Sequence, residues 1–69
     1  MSYQEKKEWA TILDDIEQAE TRIEAIKAEM NTITSDAGRL IELQEELEET
    51  DEKLLEFYER YEYLAELSE

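Results

Sequence analysis

Two apolar stripes, one in each half of the chain, constrain the fold more than any other feature of the sequence. Their members recur at alternating intervals of three and four residues. Because the mean interval of about 3.5 residues nearly matches the helical turn, such a stripe forms one seam of a helix. The first stripe consists of Trp9, Ile12, Ile16, Ala19, Ile23, Ile26, Met30 and Ile33, and the second of Leu40, Leu43, Leu47, Thr50, Leu54, Phe57, Tyr61 and Leu64.

The two stripes match layer by layer when the chain is folded back on itself. Ile33 then faces Leu40 next to the turn, and Trp9 faces Leu64 where the termini meet. This pattern predicts an all-α fold, a two-helix antiparallel coiled-coil hairpin that forms a single domain over residues 1–69. We expect the first helix over about 2–33, the turn over about 34–38 and the second helix over about 37–67. One straight helix in a parallel dimer is the alternative.

Polar residues at the helix ends locate the predicted boundaries. Ser2 and Glu5 have the spacing of a capping box, in which each side chain accepts a hydrogen bond from the other residue's backbone. Weak helix formers cluster from Asn31 to Gly38. Ser35 or Asp36 is the expected N-cap of the second helix.

Charged residues beside the stripes allow two sets of contacts between the helices. Close pairing of the layers brings Asp15 to Arg60, but it also places Arg22 near Lys53. A longer reach pairs Arg22 with Glu46, Asp15 with Lys53 and Glu29 with Arg39, all opposite in sign. Since surface ion pairs contribute only about 0–1 kcal/mol each, the apolar layers decide the register.

Composition excludes several classes of function. Twenty-one acidic against seven basic residues give a net charge of −14, which opposes binding to phosphate backbones and to anionic membranes. The candidate phosphate contacts are Lys6, Lys7, Arg39 and Arg60. Cysteine and histidine are absent, Gly38 is the only glycine, and no apolar run approaches the ~20 residues of a membrane span. We expect a soluble, cytoplasmic chain without an active site, metal or cofactor of its own.

Aromatic residues concentrate at the end where the termini meet. Trp9 and Tyr61 belong to the stripes, whereas other apolar residues nearby widen this end beyond two facing seams. Exposed apolar patches often mark docking surfaces, so this end is the expected contact with a second copy or another domain. The predicted interaction surface consists of Trp9, Leu13, Leu55, Tyr58, Tyr61 and Leu67.

Four short segments resemble a known family, and the resemblance covers essentially the whole chain. Residues 2–8 resemble the "SYKEKRE" start of the C-terminal coiled-coil domain of ABC-F ATPases of the Uup type. Residues 23–30 resemble that family's "IEALEAEM", and residues 35–40 match its entry into the second helix. Residues 58–64 resemble its closing "YERWEEL", with Tyr61 at the tryptophan position.

The resemblance implies a domain at the C-terminus of a longer protein with two ATP-binding cassettes. ATP and magnesium would bind to those cassettes, which would be this domain's partners in the same polypeptide. Family members lack membrane domains and act on ribosomes or in nucleic-acid metabolism, and the Uup-type domain is associated with DNA binding. The implied function is a non-catalytic interaction domain that positions the parent on the ribosome or nucleic acid. The alternative is a structural spacer or oligomerisation coiled coil without nucleic-acid contact.

Overall fold

The chain folds into two long helices that pack side by side in opposite directions. The computed structural model describes residues 1–68, with α1 over Tyr3–Thr32 and α2 over Ala37–Ser68. The Cα trace measures 51 × 16 × 14 Å, which is a rod. The predicted all-α hairpin is therefore confirmed, and a single straight helix is excluded.

The core of the rod is the seam that the stripes predict. Every stripe position is buried or half-buried. Ile12, Leu43 and Leu64 are the most enclosed, with 1%, 2% and 0% of their surface exposed. The rings of Trp9 and Tyr61 stack at a centroid distance of 5.4 Å, which closes the seam at the end of the termini. All members of both apolar stripes therefore lie in the seam between the helices.

The capping box at the start of α1 is present. The Ser2 hydroxyl accepts from the Glu5 backbone N–H at 3.2 Å, and the Ser2 N–H donates to the Glu5 carboxylate at 2.9 Å. These two hydrogen bonds satisfy backbone donors that the first helical turn leaves without partners. The helix begins one residue later than predicted because Ser2 is its cap.

The turn is shorter than the sequence suggests. Ile33 caps the end of α1, where its N–H donates to the Met30 carbonyl at 3.3 Å. The Asp36 carboxylate accepts from the Arg39 backbone N–H at 3.0 Å and so serves as the N-cap of α2. α2 begins at Ala37, where the expected second helix also begins, and Gly38 lies within its first turn.

Charged residues beside the seam form two of the three pairs in the longer-reaching set. Arg22 bonds to Glu46 at 3.1 Å and Arg39 to Glu29 at 2.7 Å. Arg60 bonds to Glu8 at 2.7 Å rather than to Asp15, its partner in the close-pairing alternative. Two of these ion pairs, Glu8 with Arg60 and Glu29 with Arg39, lie three heptads apart along each helix. The register is therefore constant along the rod.

Candidate interaction surfaces

Arg39, the basic residue nearest the turn, forms ion pairs with two carboxylates. One Arg39 nitrogen donates to Glu29 at 2.7 Å and the other to Glu42 at 3.1 Å. The hydrogen bond with Glu42, followed by that with Glu29, raises the pKa of Arg39. Two of the five N–H groups of this guanidinium therefore donate to carboxylates, whose negative charge opposes the approach of a phosphate.

Arg60 is held in the same way near the termini. Its Nε donates to Glu8 at 2.7 Å, and its guanidinium carbon lies 4.7 Å from the centre of the Tyr63 ring. The hydrogen bond with Glu8 raises the pKa of Arg60. The Tyr63 hydroxyl donates to Glu5 at 3.0 Å, and this bond raises the pKa of Tyr63. These contacts make a small polar cluster from both helices.

The remaining predicted phosphate contacts lie on the first two turns of α1. Lys6 and Lys7 are both exposed, and the Lys7 ammonium lies 5.9 Å from the centre of the Tyr3 ring. Arg39 lies at the opposite end of the 51 Å rod. The four residues therefore do not form one basic stripe, and their role in phosphate binding stays a prediction.

The predicted interaction surface separates into three parts. Trp9 and Tyr61 stack on each other in the seam. Leu13, Leu55 and Tyr58 are 62%, 63% and 43% exposed. Leu67, 41% exposed, follows Arg60 by one heptad and so lies on the side of the seam that carries the ion pairs. The six residues therefore do not form one continuous surface.

One contact marks the side of the seam away from the ion pairs. The Tyr58 hydroxyl donates to the Glu20 carboxylate at 2.5 Å, which raises the pKa of Tyr58. Leu13 precedes Glu20 by one heptad, and Ala10 and Ala65 occupy neighbouring positions on the same side. The sequence analysis did not single out Glu20, Ala10 or Ala65. Sorting the outer positions by heptad would have found them.

Residues 1–68 contain surface depressions but no metal cluster. A depression of about 450 Å³ is lined by α1 alone, and depressions of about 290 and 70 Å³ on the ion-pair side are lined by both helices. Within the same range, no three acidic side chains converge in a way that could hold a metal ion. Neither helix is apolar enough over a sufficient length to cross a bilayer.

Comparison with known proteins identifies the family. Residues 1–66 match the family model described as the ABC transporter C-terminal domain. No curated protein and no solved structure matches the chain. The match spans both helices and the turn, so it concerns the hairpin as a whole. The chain belongs to the ABC transporter C-terminal domain family.

Proposed function

We propose that the hairpin is the interaction arm of an ABC-F type ATP-binding protein and positions its parent on the ribosome or on nucleic acid. The observation that carries this proposal is the closed seam. Each helix buries its apolar stripe against the other, with Ile12, Leu43 and Leu64 almost fully enclosed. A rod that completes its own core keeps its outer faces available for contacts and holds them at a fixed distance from the point of attachment.

The resemblance of the start, the turn entry and the close of the chain to the Uup type supports the ABC-F assignment. The family match supports attachment to ATP-binding cassettes in the same polypeptide. The hairpin would contribute shape and contacts, and the cassettes would bind ATP and magnesium. The ion pairs of Arg39 and Arg60 make orientation by the rod a better explanation than wrapping around a phosphate backbone.

The proposal can be tested with the complete protein encoded by the reading frame that contains this chain. We would compare the intact protein, a version without residues 1–68 and an Ile12→Asp variant in co-sedimentation with ribosomes and with duplex DNA. Ile12 is 1% exposed, so a charge there disrupts the seam without shortening the chain. A matched Ile41→Asp variant changes an isoleucine near the turn that is 59% exposed, and it leaves the seam closed.

We expect the deletion and Ile12→Asp to weaken association with ribosomes or DNA while ATP binding by the cassettes is unchanged. Equal association of the deleted and the intact protein with both targets would contradict the proposal. The salt dependence of DNA binding then identifies phosphate contacts. If Lys6 and Lys7 contact phosphates, replacing both with alanine lowers the slope of log K against log salt by about 2.

A spacer or oligomerisation role is the second candidate, and the exposed leucines favour it. Leu13 and Leu55 are each more than 60% exposed, at 62% and 63%. If they join two copies, the melting temperature rises with protein concentration, whereas a monomeric hairpin melts independently of concentration. Sedimentation velocity over the same concentrations would report the mass directly.

A further inference from the structure

The two sides of the seam differ in chemistry. One side, here called the paired side, carries the ion pairs of Glu8 with Arg60, Arg22 with Glu46 and Glu29 with Arg39, at N–O distances of 2.7–3.1 Å. Opposite charges on this side satisfy each other across the helices. The charges of these three pairs are therefore matched within the rod, and the exposed leucine on this side is Leu67, at 41%.

The other side, here called the apolar side, is defined by Leu13, Leu55 and Tyr58. On this side each helix presents a column of side chains spaced by heptads. The hydrogen bond from Tyr58 of α2 to Glu20 of α1 shows that the two columns approach each other across the seam. Leu13 lies one heptad before Glu20 in its column, and Leu55 lies one turn before Tyr58. With exposed fractions of 62%, 63% and 43%, these three side chains place apolar surface from both helices on one side of the rod.

Small residues lie among these larger ones. Ala10 and Ala65 occupy the same side, one from each helix, and neither side chain extends beyond its Cβ. Because alanine side chains are short, the neighbouring leucines stand above them, and an amphipathic helix can lay its apolar face against such a surface. These residues lie in the half of the rod that contains both termini.

Acidic residues outnumber basic ones around the apolar side, where Lys6 lies one heptad before Leu13. Glu17 and Glu20 follow Leu13 on α1, and Asp51 and Glu62 lie before Leu55 and after Tyr58 on α2; all four are exposed. These carboxylates would face the polar flanks of a bound helix. A second copy of the chain would bring the same carboxylates and a net charge of −14 to the contact. The charge therefore favours a basic partner over self-association.

We infer that the apolar side docks a basic amphipathic helix of a partner protein, with leucine-like side chains over Leu13, Leu55 and Tyr58 and lysines or arginines opposite the acidic rim. This inference rests on the proposed role of the hairpin as an interaction domain. It does not depend on whether the parent acts on the ribosome or on DNA. Acidic rims of this kind accelerate association with basic partners and select against acidic ones.

A synthetic helical peptide tests the inference on the 69-residue chain. The peptide has leucines at positions i, i+3, i+4 and i+7 and lysines on its flanks, and a second peptide has glutamates in place of the lysines. Binding is measured by fluorescence anisotropy with the wild-type chain and with a Leu13→Gln/Leu55→Gln variant. The control is Leu67→Gln, which changes an exposed leucine on the paired side. Circular dichroism verifies that the variants are folded.

We expect the lysine peptide to bind and the glutamate peptide not to bind. The double variant should lower the affinity about tenfold or more, whereas the Leu67 variant should change it less than about twofold. Equal loss in both variants, or equal binding of both peptides, would overturn the inference. Concentration-dependent dimerisation that the double variant abolishes would identify a second copy as the occupant instead. Failure of the peptide test leaves the co-sedimentation result of the parent unaffected, so the two proposals fail separately.

Discussion

The closed seam makes a quantitative prediction about two leucines of α2 that differ in burial. Leu64 is 0% exposed and Leu55 is 63% exposed. Truncating a buried leucine to alanine costs about 2–5 kcal/mol, because transfer free energy is lost and a cavity remains. The same truncation at a surface position usually changes stability by less than about 0.5 kcal/mol. We therefore expect Leu64→Ala to destabilise the hairpin severely and Leu55→Ala to leave its stability nearly unchanged.

The small size of the domain turns this cost into a large change in population. A core of this size contributes a total stability of roughly 3–5 kcal/mol. A loss of about 3 kcal/mol from about 4 lowers the folded-to-unfolded ratio from about 1000:1 to about 5:1 at 25 °C. Leu64→Ala is then unfolded in part before any denaturant is added.

Urea titration followed by circular dichroism at the helical minimum measures both variants. The expected result is a midpoint for Leu64→Ala well below that of the wild type, and a midpoint for Leu55→Ala within error of it. Leu43→Ala, at 2% exposure near the turn, should resemble Leu64→Ala. If the variants at positions 64 and 55 unfold at the same urea concentration, the seam described above does not hold the helices together.

Further substitutions test the aromatic end, the turn and the first cap. Tyr61→Asp should lower the melting temperature sharply, because it removes the ring stacked on Trp9 and places a charge in the seam; a wild-type melting curve would refute the layer assignment. Gly38→Ala should stabilise the hairpin by about 0.5–1 kcal/mol in urea titrations, because Gly38 is helical and has no positive φ. An added Cβ would meet only the Asp36 carboxylate, at an ordinary contact distance of 3.6 Å. Asp36→Ala should cost about 0.5–2 kcal/mol in the same assay through loss of the α2 cap. The hydrogen bond from the Ser2 backbone, followed by those from Tyr63 and the Ser2 hydroxyl, lowers the pKa of Glu5. The ionised Glu5 carboxylate therefore contributes its full stabilisation above pH 4.5, and this contribution is lost as the pH falls through the folded-state pKa. The difference in unfolding free energy between the wild type and Glu5→Ala should therefore shrink on acidification, and a constant difference would exclude the capping box as its source.

The seam was predictable because burial of an apolar stripe requires a repeating pattern. Every layer from Trp9 to Ile33 requires an apolar residue at the same heptad positions. The assignment of one layer is therefore checked by the layers next to it. The turn lacks that redundancy. Gly38 weakens a helix intrinsically, yet the Asp36 cap satisfies the first turn of α2 and lets the helix begin before the glycine. A single local hydrogen bond decided the boundary.

The outer surfaces were less predictable than the seam for a related reason. Arg60 has acidic residues within reach at several positions of α1, and the sequence does not rank them. The structure selects Glu8, which lies on the paired side with Tyr63 and Glu5 nearby. Leu67 and Leu13 both appear as apolar residues near the termini, but only their heptad positions place them on opposite sides. Proximity along the rod did not imply a shared face.

A distance between two labels tests the central claim, that the chain turns back on itself as an antiparallel hairpin. The chain has no native cysteine, so Thr11→Cys and Glu59→Cys, both at exposed positions, can carry spin labels without other substitutions. Labelled chains diluted with unlabelled ones report the intramolecular distance. The hairpin predicts a separation close to the 16 Å width of the rod plus the linkers of the labels. A separation of about 72 Å, the rise of 48 residues in one straight helix, would contradict the hairpin and with it the apolar side.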